Sequence, residues 1–277
     1  MKQVLKALRS LLPVALLLLG FAAITHADNT TCDGRVWVIP DGATHEGAFT
    51  ALDQERWFWF RGLPDRSYTF VAENLSPTDE QAFVGVVSWT MTPLSPSCDN
   101  LFPLGAVHTS AVTTSTTIPD SAAGDLSAGS ARVSFISTQE VNLLFVSTSP
   151  SSGTPGRFRV RVEETTLFSP AWSTFGTFET YYSCVNTTND GTIDAILRLI
   201  DTTGAEVATF NFTDIPAGGT VSTNTEALGV ANSLNGSATW AHNGPPGAFI
   251  CQAAIANFQV VPNLIQPVQF DTARQMR

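Results

Sequence analysis

Glu55-Arg56-Trp57-Phe58-Trp59-Phe60 is the stretch that decides the fold. Successive side chains of a strand point to opposite faces, so Trp57 and Trp59 share one face while Phe58 and Phe60 share the other. Both faces are then aromatic, which predicts a central strand covered on both sides. The alternative leaves one face open. Trp57 and Trp59, about 7 Å apart at strand pitch, would then be a ligand-binding platform on which a sugar ring or an extended peptide could stack. Burial is the preferred role, since aromatic side chains are usually buried for their area.

Outward from this strand the chain shows almost no helical period. Short segments alternate or run apolar between Gly, Pro, Asn and Asp, the pattern of an antiparallel all-β protein. In the first half it predicts strands over 35–39, 56–61, 67–72, 82–91, 131–137, 141–147 and 157–163. Residues 103–130 are mostly Ser, Thr, Ala and Gly and predict a long flexible loop. A proline follows a completed strand at Phe168-Ser169-Pro170 and marks a domain boundary. Beyond it strands are predicted over 179–186, 194–201, 206–212, 220–223, 237–242 and 248–255, with a tail strand near Val268. Thr202-Thr203-Gly204 and Ile215-Pro216-Ala217-Gly218-Gly219 read as sharp connections. The expected architecture is two consecutive antiparallel β-sandwich domains, 28–168 and 169–277.

Residues 1–27 read as a cleaved export signal. Lys2, Lys6 and Arg9 make the basic region, 11–23 the apolar region and Thr25-His26-Ala27 the cleavage site. The apolar run is too short to span a bilayer, and no permanent membrane anchor is expected. The product is expected to be secreted or periplasmic. In such an oxidising compartment Cys32, Cys98, Cys184 and Cys251 are expected to form two disulfides. The favoured pairing, Cys32 with Cys98 and Cys184 with Cys251, keeps each bridge inside one half. Each bridge is worth roughly 4 kcal/mol in the chain-entropy model.

Glu55-Arg56-Trp57-Phe58-Trp59-Phe60, Gly62 and Arg66-Ser67-Tyr68-Thr69-Phe70 resemble the "D-R-W-Y-x-F … G-x-S-Y-x-F" strand pair of the bacterial pre-peptidase C-terminal (PPC-like) domain. Gly156-Arg157-Phe158-Arg159-Val160-Arg161-Val162 is similar to that family's final strand, and the resemblance covers 46–165. Glu55 stands where the family has aspartate, and its central "D-x-x-L-x-L-Y-D" strand is not found, so a structural calcium ion is not supported. Residues 170–277 resemble a recurrent bacterial secreted Ig-like β-sandwich through Asn186, Leu199, Asp201, Gly204 and 216–222. Both resemblances imply accessory modules, the first jelly-roll-like.

Catalytic and metal motifs fail on inspection. His45-Glu46 begins a zinc-protease motif, but Phe49 stands where the second histidine belongs. His45, His108 and His242 are not brought together by any spacing. Gly124-Asp125-Leu126-Ser127-Ala128-Gly129 places its first glycine one position too far for a nucleophile elbow. Glu163 and Glu164 point to opposite sides of a strand and cannot flank one glycosidic bond. Asp190-Gly191 with Asp194 could line a calcium loop, but an Asx turn explains it without an ion. No catalytic residue, metal ligand or cofactor is assigned. Should the chain be catalytic, His242 is the first suspect.

Removing the signal takes away three of fourteen basic residues and none of the 24 acidic ones, leaving 11 against 24, a net of −13. Its densest cations, Arg157, Arg159 and Arg161, are followed by Glu163 and Glu164. Nucleic acid is therefore not an expected partner. The expected function is that of an exported, non-enzymatic binding or surface-associated accessory protein that recognises a protein or glycan. A secreted hydrolase or hydrolase accessory subunit is the alternative, and a structural component of an envelope or matrix assembly a third.

Overall fold

The computed structural model describes residues 36–51, 55–75, 82–88, 116–117, 130–137, 141–148 and 157–272. The export signal, Cys32, Cys98, His108, the Gly124 to Gly129 motif and the predicted 103–130 loop, apart from Thr116, Thr117 and Ser130, lie outside them. Among the described residues there is no helix, and the strands form four sheets.

The first sheet has the order β1-β3-β8-β5-β6, built from β1 (Trp37–Val38), β3 (Glu55–Arg61), β8 (Val141–Thr148), β5 (Ala82–Ser88) and β6 (Thr116–Thr117). The second has the order β2-β9-β4-β7, from β2 (His45–Ala48), β9 (Arg157–Glu164), β4 (Arg66–Asn74) and β7 (Ser130–Ser137). Their shared core takes Val38, Phe58 and Phe60 from one sheet and Tyr68, Phe70, Val133, Phe135, Phe158, Val160 and Val162 from the other. Among the described residues every pairing is antiparallel except β1 with β3, which is parallel. The sequence pattern does not predict β2, because His45-Glu46-Gly47-Ala48 carries no apolar alternation. It pairs with β9 through Gly47, where a Cβ would stand 2.4 Å from the Phe158 ring.

The third sheet runs β13-β12-β15-β10-β18, from β13 (Glu206–Pro216), β12 (Thr192–Asp201), β15 (Asn235–His242), β10 (Leu167–Ser173) and β18 (Asp271–Thr272). Opposite it lies β14-β11-β16-β17, from β14 (Thr220–Asn224), β11 (Glu179–Asn186), β16 (Phe249–Asn257) and β17 (Leu264–Gln269). Strand β12 shows why these residues fold together. Ile193, Ala195, Leu197 and Leu199 alternate into the core while Asp194 and Arg198 alternate outward. At the centre of this second core Trp240 packs its ring against Phe212, Phe249 and Tyr182 at 5.2, 5.7 and 6.3 Å between centroids. Such tilted and edge-on contacts suit the aromatic quadrupole.

The chain passes from one pair of sheets to the other at Thr165 and Thr166. Phe168-Ser169-Pro170 lie within β10 and not between elements. Pro170 falls where the pairing of β10 with β15 shifts register, between Ser169 and Trp172, and a strand tolerates a residue without an N–H at such a bulge. The proline punctuates a strand here.

Cys184 and Cys251 are disulfide-bonded and stand directly opposite one another on β11 and β16. The bridge therefore joins neighbours in one sheet. In this it differs from the bridge of an antibody domain, which crosses between sheets.

Candidate functional site

The two pairs of sheets meet through hydrogen bonds that begin at the crossing residues. Thr165 donates its N–H to the Ser67 carbonyl at 2.8 Å, and Ser67 donates its own to Thr166 Oγ1 at 2.9 Å. Arg66, beside Ser67, ion-pairs with Glu164 at 3.3 Å and lies over the Phe168 ring at 4.4 Å. Arg198 of β12 reaches back to the Pro64 carbonyl at 3.5 Å.

Beside these contacts is a cavity of about 210 Å³. Four segments supply its polar wall, one of them β18 through Thr272. Asp41 sits in a turn with φ of 55°, a left-handed conformation that aspartate tolerates better than most residues. Its N–H donates to the Val162 carbonyl at 2.8 Å, and its Oδ1 accepts the Glu164 N–H at 3.3 Å. Glu163, Glu164 and Thr165 come from the end of β9 and the crossing. His242 comes from the end of β15, with its ring 5.5 Å from that of Phe249. Leu167, Pro246 and Phe249 complete the apolar side. The loop that follows His242 lies close in, since a Cβ at Gly244 would stand 2.5 Å from Ile193 Cδ1.

This wall is unusual in what it leaves unsatisfied. Among the described residues six buried side-chain polar atoms have no hydrogen-bond partner, and Asp41 Oδ2, Thr165 Oγ1 and His242 Nδ1 are three of them. The others, on Tyr182, Thr239 and Trp240, do not line this cavity. A buried polar group without a partner costs about 1–3 kcal/mol, and these three atoms are closed off from the cavity that their residues line. His242 is 1% exposed and Thr165 5%. Burial pulls the His242 pKa down to about 4, against the opposing carbonyls of Gly244 and Thr165, neither of which completes a hydrogen bond to Nδ1. The imidazole is therefore neutral at pH 7.

Two larger hollows lack this character. One, of about 380 Å³, lies among the loops around Gly176 and Gly229, where Thr174 and Thr225 bond to neighbouring backbone. The other, of about 600 Å³, runs over Pro170, Thr202 and Gly236.

The residues singled out in the sequence fall as follows. Trp57 and Trp59 are 9% and 2% exposed, with Trp59 against Trp37 at 5.8 Å, so neither ring offers a face for stacking. Strand β3 has a neighbour on each side, β1 and β8. His45 lies on β2 opposite Val160, away from His242. Both carboxylate oxygens of Asp194 are taken, by the Asp214 N–H at 2.9 Å and by Asn243 at 3.2 Å, while Asp190 is exposed. Arg157 and Arg159 each pair with Glu46 at 2.8 Å, and Arg161 pairs with Glu73 and Glu163. Glu163 and Glu164 have different arginine partners, as opposite sides of a strand require, yet both reach the cavity rim. Asp41 and Thr165 carry no sequence signal as site residues. Of the cavity's lining, the sequence singles out His242, Glu163 and Glu164.

No family model matches the chain, and no curated protein matches its sequence. Among solved structures it is similar to a surface-associated copper-binding protein, CorA, important in copper acquisition in Methylomicrobium album BG8. The two share 10% identity at a TM-score of 0.29, over 47% of this chain and 97% of that one. It is also similar to the extracellular region of zebrafish Gpr126/Adgrg6, at 10% identity and a TM-score of 0.25, over 88% of this chain and 33% of that one. A β-glucuronidase of glycoside hydrolase family 2 follows at 11% and 0.19, over 79% and 24%. Likenesses this distant carry no argument about function.

Proposed function

We propose that this chain is an exported, non-enzymatic binding or accessory protein of two β-sandwich domains, PPC-like over 28–168 and Ig-like over 169–277. Its ligand group enters the cavity at their junction. The observation that carries the reading is the lining of that cavity, where Asp41, Glu163, Glu164, Thr165 and His242 meet Leu167, Pro246 and Phe249 beside the point at which the chain crosses between the two pairs of sheets. A mostly apolar hollow with a few convergent polar groups is the usual form of a recognition site. Export is supported by the N-terminal signal pattern and by the Cys184–Cys251 bridge, a bond that persists in oxidising compartments. Either a protein or a glycan partner can present a group of this size.

An NMR-observed screen of ring-sized fragments tests the reading. Hits are expected to shift the His242 ring and Thr165 methyl resonances. A screen with no hits, or with hits confined to other surfaces, overturns it.

One observation favours a second reading. Asp41, Thr165 and His242 are of the residue types used by a nucleophile, a base and its orienting acid. Thr165 Oγ1 and His242 Nδ1 are nevertheless without partners, so no proton relay links them. Turnover in a protease, glycosidase and esterase panel, abolished in His242→Ala, would establish hydrolysis in place of simple binding.

A further inference from the structure

We infer that the hollow at the far end of the second pair of sheets binds a neutral sugar unit of a glycan. This adds a site to the binding reading and does not depend on the junction cavity. Strands β10 and β16 each start at that cavity, with Leu167 and Phe249, and run toward the hollow, which they reach beside Thr174 and Gln259.

Three connections surround this space of about 380 Å³: residues 174–178 between β10 and β11, 225–234 between β14 and β15, and 258–263 between β16 and β17. Loops gathered at one end of a β-sandwich are a common place for recognition. Here hydrogen bonds tie them to one another before any ligand arrives. The Thr174 hydroxyl donates to the Ala231 carbonyl at 2.7 Å, and the Ser233 N–H to the Thr174 carbonyl at 3.0 Å. Asn257, at the end of β16, donates its side-chain N–H to Thr177 Oγ1 at 2.7 Å and accepts the Gln259 N–H at 3.0 Å. A hollow held in this way spares a ligand the entropy of ordering loops.

Its lining points to the ligand. Glu226, Asn232 and Gln259 are exposed, and among the described residues their side chains have no hydrogen-bond or ion-pair partner. The carboxamides of Asn232 and Gln259 each offer both donors and an acceptor. Sugar hydroxyls do the same, so a ring carrying several of them can satisfy all three side chains. Phe178 lines the same space and gives the apolar face of a sugar ring a surface. Phe175 and Phe258, each next in the chain to a lining residue, are 63% and 52% exposed and extend the aromatic surface for a longer glycan.

Charge and size narrow the class. Glu179 and Glu226 are the carboxylates of the lining and no cation accompanies them, so an acidic sugar is disfavoured. Glu179 already accepts the Asn224 side-chain N–H at 3.3 Å. A metal ion fits less well, because among the described residues no three His, Cys, Asp or Glu side chains come together as a ligand set. A protein partner also fits less well: the lining is polar apart from Phe178 and Val230, whereas the centre of a protein interface is apolar and poor in charge. A cavity of about 150 Å³ holds one six-membered ring, so about 380 Å³ has room for a sugar ring and part of its neighbour.

The test titrates the isotope-labelled mature protein at pH 7 with cellobiose, maltose, lactose and N,N′-diacetylchitobiose, with digalacturonate, and with a capped trialanine peptide. It follows the carboxamide signals of Asn232 and Gln259 and the backbone signals of Gly176 and Gly229. At least one neutral disaccharide is expected to shift them at millimolar concentration, and digalacturonate to bind at least tenfold more weakly. Glu226→Ala and Asn232→Ala, exposed positions whose side chains bond to nothing else described, are each expected to weaken that sugar at least fivefold with the rest of the spectrum unchanged. Sugar affinity unchanged in both variants, digalacturonate binding as tightly as the neutral sugars, or the peptide binding here more tightly than every sugar overturns the assignment. So does a panel in which no sugar moves these signals. Sugars that move only the His242 and Thr165 resonances support the junction as a binding site and overturn this one.

Discussion

His242 is where burial has the clearest measurable consequence. Its pKa falls from the ordinary 6.5 to about 4 because the charged ring would be desolvated. Above pH 6.5 the ring is neutral in the folded and unfolded chains, and it contributes no pH dependence. As the pH drops from 6.5 to 4, the unfolded chain takes up a proton that the folded one refuses, and stability falls. At about 1.4 kcal/mol per pKa unit the loss approaches 3 kcal/mol. Urea denaturation across this range is expected to show that slope, and His242→Gln to remove it. Asp41, Glu163 and Glu164 line the same cavity and remain in both proteins, so the difference between the two curves isolates the imidazole. An unchanged slope in the variant would mean that the ring is not desolvated. Rarity alone drew attention to this histidine in the sequence. Asp41 and Thr165 lie 201 and 77 residues from it in the chain, and no spacing rule links a turn aspartate, a crossing threonine and a strand-end histidine. Their meeting is a tertiary fact.

At the scale of elements the sequence was most legible where one face of a strand is buried. Strand β12 could be read from its alternation of Ile193, Ala195, Leu197 and Leu199, and β11 in the same way, whereas β15 is buried continuously from Ala238 to His242. Strand β10 was not, since a proline in a strand reads as its end unless a bulge accommodates it. Strand β2 was not, because its place depends on Gly47 lying against Phe158 and not on its own pattern. The bridge between β11 and β16 closes a separation of 67 residues. A Cys184→Ala, Cys251→Ala double variant is expected to lose about 4 kcal/mol through the freed unfolded chain. A loss of well under 1 kcal/mol in non-reducing denaturation would show that the register of β11 and β16 is held by packing alone.

For the whole molecule the question is whether the two pairs of sheets behave as one body. Arg66 is the residue on which this turns, joining Glu164 at the cavity rim to Phe168 on β10. Its replacement by alanine removes a cation–π contact and leaves Glu164 without that arginine. A cost of about 1–3 kcal/mol is expected. Calorimetry is expected to show one broad transition in the native protein dividing into two in Arg66→Ala. Two separate transitions in both proteins would mean that the halves unfold independently from the outset. The far edge of the molecule matters for a different reason. Strand β17 ends its sheet with Leu264 and Ile265 exposed, a combination that invites a foreign strand to add on. Pro267 lies within it, and a residue without an N–H on an edge interrupts any ladder a newcomer would build. The chain thus carries its own guard against fibre growth at this sheet end.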